Sequence, residues 1–281
     1  MIGHNLHTHS LFSDGKSTLE EMVKAAIDQG MHTLGISDHA EVPFENHFAI
    51  KAGETAEYLA EVKRLQQVYA QQIQLYLSLE IDFIPGLMED FQSRNTSYGL
   101  DYTIGAVHLV GKEVPENLWF IDGPKQEIYD NGLKQFFSGD IRAAVKAFYT
   151  QTNQMLQQES FDIIGHFDKI KMHNSDRYFL ESEKWYKDLV LETLQLIKEK
   201  GVIAEVNTRG IYKKRSKSLF PSNWILAEMK QLEIPVIISS DAHHTSELQL
   251  HFDTAITALK NAGYHETMQF LQGQWTAKEL V

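Results

Sequence analysis

Seven times along this chain a short apolar run ends in side chains that carry charge or ligate cations. Residues 2–7 read as a first strand that delivers His7-Thr8-His9, with Asp14 at the end of the same loop. Residues 33–37 deliver Asp38-His39, residues 73–79 deliver Glu80, and residues 101–107 deliver His108. Residues 161–165 lead to His166 and Asp168, residues 202–206 to Asn207 and Arg209, and residues 234–239 to Asp241 and His243. Helical stretches separate most of these runs. The first opens at Ser17-Thr18-Leu19-Glu20, which fits a capping box with Ser17 as N-cap and Glu20 at N3. Others are expected at about 54–72, 139–158, 182–200 and 222–231, and two more helices are expected to close the chain.

Strands alternating with helices imply parallel pairing through crossover connections. An open doubly wound sheet gathers its ligands in one crevice, whereas a closed α/β barrel presents every strand end on one rim. Seven polar strand ends suit a ring, so the expected architecture is a seven-stranded α/β barrel. No repeat, low-complexity run or linker divides the chain, and 1–281 reads as one domain. Residues 109–138 have no clean period and read as an elaborated loop able to cover a site.

His7 and His9, at i and i+2, share a face if their segment is extended. Two adjacent imidazoles make a poor core and a good half of a metal site. Each remaining motif has an ordinary structural explanation when taken singly: Asp38 as a helix cap, Glu80 as a surface residue, His108 or His166 as a buried, hydrogen-bonded histidine. Converging on one rim, they form a cluster of about nine N and O donors whose carboxylates repel unless cations fill it. One ion has too few coordination positions for that set, so two or three divalent ions are expected. His4, His32, His47, His173, His244, His251 and His265 lack a partner at ligand spacing and are expected to be surface or supporting residues.

There is no cysteine, which excludes disulfides, thiolate zinc sites and cysteine-dependent phosphatases. A formal net charge of -12 argues against a nucleic-acid surface, although residues 209–217 hold Arg209, Lys213, Lys214, Arg215 and Lys217. No run approaches the ~18 to 20 apolar residues of a membrane span, and no apolar leader opens the chain. A cytoplasmic protein without membrane or nucleic-acid partners is expected. Its oligomeric state is not legible.

These motifs resemble the PHP (polymerase and histidinol phosphatase) superfamily: a paired histidine near the start, a strand ending in Asp-His, a Glu and a His from middle strands, and a late Asp-x-His. They appear as His7-Thr8-His9, Ser37-Asp38-His39, Glu80 with His108, and Asp241-Ala242-His243. Gly165-His166-Phe167-Asp168 also fits, and the resemblance runs from residue 4 to about 244. Glu205-Val206-Asn207-Thr208-Arg209-Gly210, with Phe220-Pro221-Ser222 downstream, is most similar to the stand-alone histidinol-phosphate phosphatases.

The resemblance implies a distorted seven-stranded, TIM-like barrel and a trinuclear centre of zinc, iron or manganese. Carried over, His7, His9, Glu80 and Asp241 hold one ion. Glu80, His108 and His166 hold a second, and Asp14, His39 and His243 a third. Where relatives place basic residues directly after the Gly of the Asn-Thr segment, Ile211-Tyr212 intervene here before Lys213-Lys214.

The implied reaction is hydrolysis of L-histidinol phosphate by a metal-bridging hydroxide, a step of histidine biosynthesis. Arg209, Lys213, Lys214 and Lys171 are candidates to neutralise the phosphoryl oxygens. His39 and Asp168 are candidates to protonate the leaving alkoxide. Glu41, Glu45 or Asp122 is expected to meet the amine or imidazole of the leaving group, and Trp119 and Phe120 are candidates to stack on it. The alternatives are a PHP esterase for another small monoester or a nucleic-acid 3' end, an amidohydrolase barrel, and a metal-stapled binding or sensing protein. The amidohydrolase reading calls for a metal-bridging lysine at a strand end, which the sequence does not offer.

Overall fold

The computed structural model describes residues 2–280. In chain order its elements are β1 (His4–Asn5), α1 (Leu19–Asp28), β2 (Thr33–Ile36), α2 (Thr55–Val68), β3 (Gln74–Asp82), α3 (Phe91–Tyr98), β4 (Tyr102–Ala106), β5 (Leu109–Val110) and β6 (Trp119–Phe120). There follow α4 (Gln126–Phe137), α5 (Ile141–Gln158), β7 (Ile163–Ile164), α6 (Lys184–Lys200), β8 (Ile203–Asn207), α7 (Arg209–Tyr212), α8 (Asn223–Gln231), β9 (Val236–Ser239), α9 (Phe252–Asn261), β10 (Glu266–Leu271) and β11 (Gln274–Glu279).

Seven strands pair in the order β1-β2-β3-β4-β7-β8-β9, and every pair is parallel. No ladder joins β9 to β1. The seam is held instead by a parallel bridge between Thr8 and Ala242, with the His9 N–H donating to the Ala242 carbonyl at 2.8 Å. Below it, Asn5 Nδ2 donates to Ser240 Oγ at 2.7 Å and to the Leu248 carbonyl at 3.0 Å. The result is a distorted, nearly closed seven-stranded barrel. Strands such as β2 and β9 are buried along their whole length, because helices cover one side and the barrel lumen the other.

The main core lies between sheet and helices. A second cluster fills the lower lumen with Leu6, Tyr76, Tyr102, Ile104, Ile163, Ile203 and Ile237. The Tyr102 hydroxyl reaches inward to the Leu6 carbonyl. Gly35 makes room for it: a Cβ there would lie 1.9 Å from the Tyr102 hydroxyl and 2.9 Å from Leu6 Cα. Phe270 joins this cluster and Trp275 packs on it, so the β10–β11 hairpin forms a floor under the barrel.

That hairpin stands where a second closing helix was expected. Its two-residue turn, Gln272-Gly273, takes positive φ at both positions (51° and 76°), the geometry that matches strand twist in tight hairpins. The first helix is capped one residue later than expected: Thr18 is the N-cap and Glu21 completes the box. Ser17 is unavailable because its carbonyl accepts from the Leu11 N–H, and Glu20 is taken by Lys24 and Arg64. Residues 109–138 are more regular than expected, holding the β5–β6 hairpin and α4. The short α3, capped by Asp90 and ended by left-handed Gly99, was not anticipated either. Among the described residues no helix is long and apolar enough to cross a membrane.

Candidate metal centre

Glu80, near the C-terminal end of β3, is the hub of the rim. Its Oε2 lies 3.2 Å from His7 Nε2, 3.5 Å from His9 Nε2 and 3.2 Å from His39 Nδ1. Its Oε1 lies 2.9 Å from His166 Nε2 and 3.5 Å from His108 Nε2. Asp241 Oδ1 approaches His9 Nε2 at 3.2 Å, and Asp14 Oδ1 approaches His243 Nε2 at 2.9 Å. Four groups have donor atoms close enough to share an ion: His9/Asp14/His39/His243, His7/Glu80/His166, His7/His9/Asp241 and His39/Glu80/His108. All nine residues singled out from the sequence fall within these groups. The partition differs from the one the resemblance implies, since His108 and His166 share Glu80 from separate groups and His9 joins Asp14.

The donor chemistry fits divalent cations. Among the described residues, His7 Nε2, both nitrogens of His9, His39 Nδ1 and Asp14 Oδ1 are buried without a hydrogen-bond partner. Buried polar atoms left bare are costly and rare, and cations shared among the groups would engage one atom of each of these residues. Burial pushes the pKa values of His9, His39, His166 and His243 down, keeping these rings neutral and able to ligate. Burial alone would push Glu80 up, but His7, His108 and His39 hold it well below the usual carboxylate range.

Buried acids orient the ligands from behind. His7 Nδ1 lies 2.5 Å from Glu205 Oε1, and the His166 N–H donates to Glu205 Oε2 at 2.8 Å. Asp82 accepts from both the backbone N–H and Nδ1 of His108 at 2.9 Å. Asp38 accepts from Ser10 N–H at 2.7 Å and from the Ser10 and Ser13 hydroxyls, pinning the loop that carries Asp14. Asp241 sits at φ 51°, a left-handed conformation few non-glycine residues adopt. Its carbonyl accepts from Arg209 Nη1 at 2.8 Å and from the Tyr212 hydroxyl at 3.1 Å.

Beside the cluster opens a cavity of about 470 Å³ lined by Asp14, His39, His108, Asp122, Arg209 and Arg215, with Asn46, His47, Leu109 and Pro124. Phe48 and Phe120 stack at its wall, 5.5 Å between centroids and 17° apart. Asp122 Oδ1 has no partner among the described residues. Burial would raise the Asp122 pKa, yet Lys169 and His108 bring it down to about 2.

Several expected contributors lie elsewhere. Asp168 and Lys171 pair with each other at 2.6 Å, and both also bond Ser222. They open and close a 3₁₀ turn of about three residues per turn, so i and i+3 align. Lys169, between them in the chain, instead reaches Asp122 and His108 at the rim. Lys213 is bound by Glu247, and neither Lys213 nor Lys214 lines the cavity, whereas Arg215 does. Glu41 caps the loop before α2 through Gly53 and Thr55, and Glu45 is exposed. Trp119 is buried against Tyr129 and Phe137 and serves packing.

Three charged residues on the rim or behind it had been passed over. Glu205 was legible as a lone acid inside an apolar strand. Lys169 was legible as a basic residue three positions after His166 in a turn. Asp82 follows Glu80 at i+2 and so shares its face.

Comparison with known proteins agrees with this geometry. The PHP domain family matches residues 5–209. Bacillus subtilis histidinol-phosphatase is 25% identical over 88% of this chain and 94% of its own length. A Deinococcus radiodurans protein named probable histidinol-phosphatase is 26% identical over 92% of each chain. Among solved structures, the histidinol phosphate phosphatase of Lactococcus lactis, complexed with zinc, L-histidinol and phosphate, superposes with a TM-score of 0.69 at 20% identity. That alignment covers 98% of both chains.

Proposed function

This chain belongs to the PHP domain family, and from that premise we propose that it is a metal-dependent histidinol-phosphatase releasing phosphate from L-histidinol phosphate. Curated relatives matched over nearly their full length carry that name. The observation that carries the reading is the convergence of nine N and O donors, several of them bare, beside a cavity with two arginines and a stacked phenylalanine pair. We read the whole chain as one catalytic domain, acting in the cytoplasm on a small-molecule phosphate ester.

The nine residues would hold two or three divalent ions, with Glu80 shared between positions. Bound there, such ions supply Lewis acidity and an activated water at neutral pH. The chain's own residues do the rest. Arg209 and Arg215 present positive charge where phosphoryl oxygens enter the cavity. Phe48 and Phe120 offer apolar faces to a flat ring on the leaving group. Asp122 Oδ1, left bare among the described residues and facing the same cavity, is the acceptor for the leaving group's amine or ring N–H. Asp168 is set aside as the acid, because it does not line the cavity and its Oδ2 pairs with Lys171 and the Ser222 N–H. His39 stays a candidate only where its ring is not occupied as a ligand.

The test is phosphate release by metal-loaded protein from L-histidinol phosphate, beside a panel of monoesters and p-nitrophenyl phosphate. A preference for histidinol phosphate, lost on chelation and in Glu80→Gln, supports the reading. Even, weak turnover across the panel removes the substrate assignment but keeps the esterase.

A further inference from the structure

We propose that Lys169 is a substrate-binding residue that grips a phosphoryl oxygen, with Asp122 holding its ammonium in position. The inference deepens the phosphatase reading and rests on it for the identity of the ester. Lys169 is 2% exposed, and its one close carboxylate is Asp122. Its Nζ lies 2.7 Å from Asp122 Oδ2, 3.4 Å from His108 Nε2 and 3.8 Å from Asp241 Oδ2.

An ammonium has three N–H donors and no acceptor. Only Asp122 is free to accept at all times. His108 Nε2 and Asp241 both belong to the donor groups of the rim. Those residues would hold a cation, and His108 Nε2 and the Asp241 carboxylate would then be engaged by it rather than by Lys169. Two N–H groups are then left in a dry site without an acceptor, which is unfavourable for a buried charge. A phosphoryl oxygen arriving at the same rim has the charge and the lone pairs to receive them.

The backbone explains the aim. Lys169 follows the turn after His166, its N–H donating to the His166 carbonyl at 2.9 Å, and its Nζ reaches to 3.4 Å from His108 Nε2 at the rim. Asp122, just beyond β6 and itself lining the cavity, meets the amine from beside His108. Arg209 complements Lys169 rather than replaces it: its Nη1 is engaged by the Asp241 carbonyl and His243 Nδ1, while the residue also lines the cavity.

Orthophosphate is the probe, titrated calorimetrically into protein whose metal content has been measured. Lys169→Met is expected to weaken orthophosphate binding by about tenfold to a hundredfold at unchanged metal content, the usual weight of one charge-assisted hydrogen bond. Lys169→Arg is expected to recover part of the loss. The double variant Lys169→Met/Asp122→Asn leaves no unpaired acid, so it tests the same loss if the single variant folds poorly. Unchanged orthophosphate affinity overturns the proposal. An extra bound metal ion in Lys169→Met also overturns it, since the lysine would then be a surrogate cation, and loss of metal would reassign it to supporting His108. If the wild type binds orthophosphate through Lys169 but never turns over histidinol phosphate, the substrate reading fails while the grip stands.

Discussion

Glu205 and His7, 198 residues apart, meet at 2.5 Å behind the metal-ligating face of the imidazole. Burial would push the Glu205 pKa up, but His7 brings it down to about 2, so the acid is ionised at working pH. It fixes His7 with Nδ1 backward and Nε2 toward Glu80. Replacing it with Gln keeps the shape and removes the charge. Glu205→Gln is expected to weaken metal affinity by roughly tenfold to a hundredfold, read by competitive titration against a chromogenic chelator. Unchanged affinity would mean that His7 is oriented by other contacts.

Chelation is expected to destabilise the whole domain as well as silence it. Asp14, Glu80 and Asp241 face one another from different strand ends, and the cations that reconcile them also staple those strands. With ions at a hundredfold excess over Kd the linkage is about 2.7 kcal/mol, so removal should lower Tm by roughly 5 to 10 °C. Calorimetry before and after chelation, with restoration by added zinc or manganese, measures it.

His4 gives the fold an acid-sensitive point far from the rim. Its ring is buried with neither nitrogen partnered among the described residues, and burial, then His32, lowers its pKa from 6.5 to about 3. The unfolded chain therefore takes up a proton below pH 6.5 that the folded chain refuses. Stability is lost as pH falls from 6.5 toward 3, by about 2 kcal/mol at pH 5 from this residue. Urea unfolding of His4→Leu at pH 7 and pH 5 should show a smaller decline than the wild type by that amount.

Gly35→Ala is expected to destabilise the protein by about 1 to 3 kcal/mol through overpacking of the lumen. The clash is specific to the Tyr102 hydroxyl and Leu6 backbone. Tyr102→Phe in the same chain should recover part of the loss, and a double-mutant cycle in urea gives the coupling. Strict additivity would show that the lumen relaxes around the new methyl.

The barrel was legible because every parallel strand is buried on both faces and so reads as a continuous apolar run. Most of the nine donors were legible because they stand at or just past the end of such a run, with Asp14 further on in the loop that follows the first. What escaped was set by local rotation and by partners far along the chain. Asp168 and Lys169 are neighbours, and only the 3₁₀ geometry after His166 sends the lysine to the rim and the aspartate away. The capping box slipped one residue because a backbone bond to Leu11 had already claimed Ser17. Residues 266–279 passed for helix because their alternation is imperfect and the Gln272-Gly273 turn is the one firm sign of a hairpin.

Among the described residues, Phe270 and Trp275 close the end of the barrel opposite the rim. Whatever enters at the rim must leave by it. On the proposed reading, an alcohol beside Phe48 and Phe120 would lie nearer the mouth than a phosphate held against Lys169 and the ligand cluster. Such an arrangement would release the alcohol first and the phosphate last, and phosphate would then compete with fresh ester for the empty enzyme.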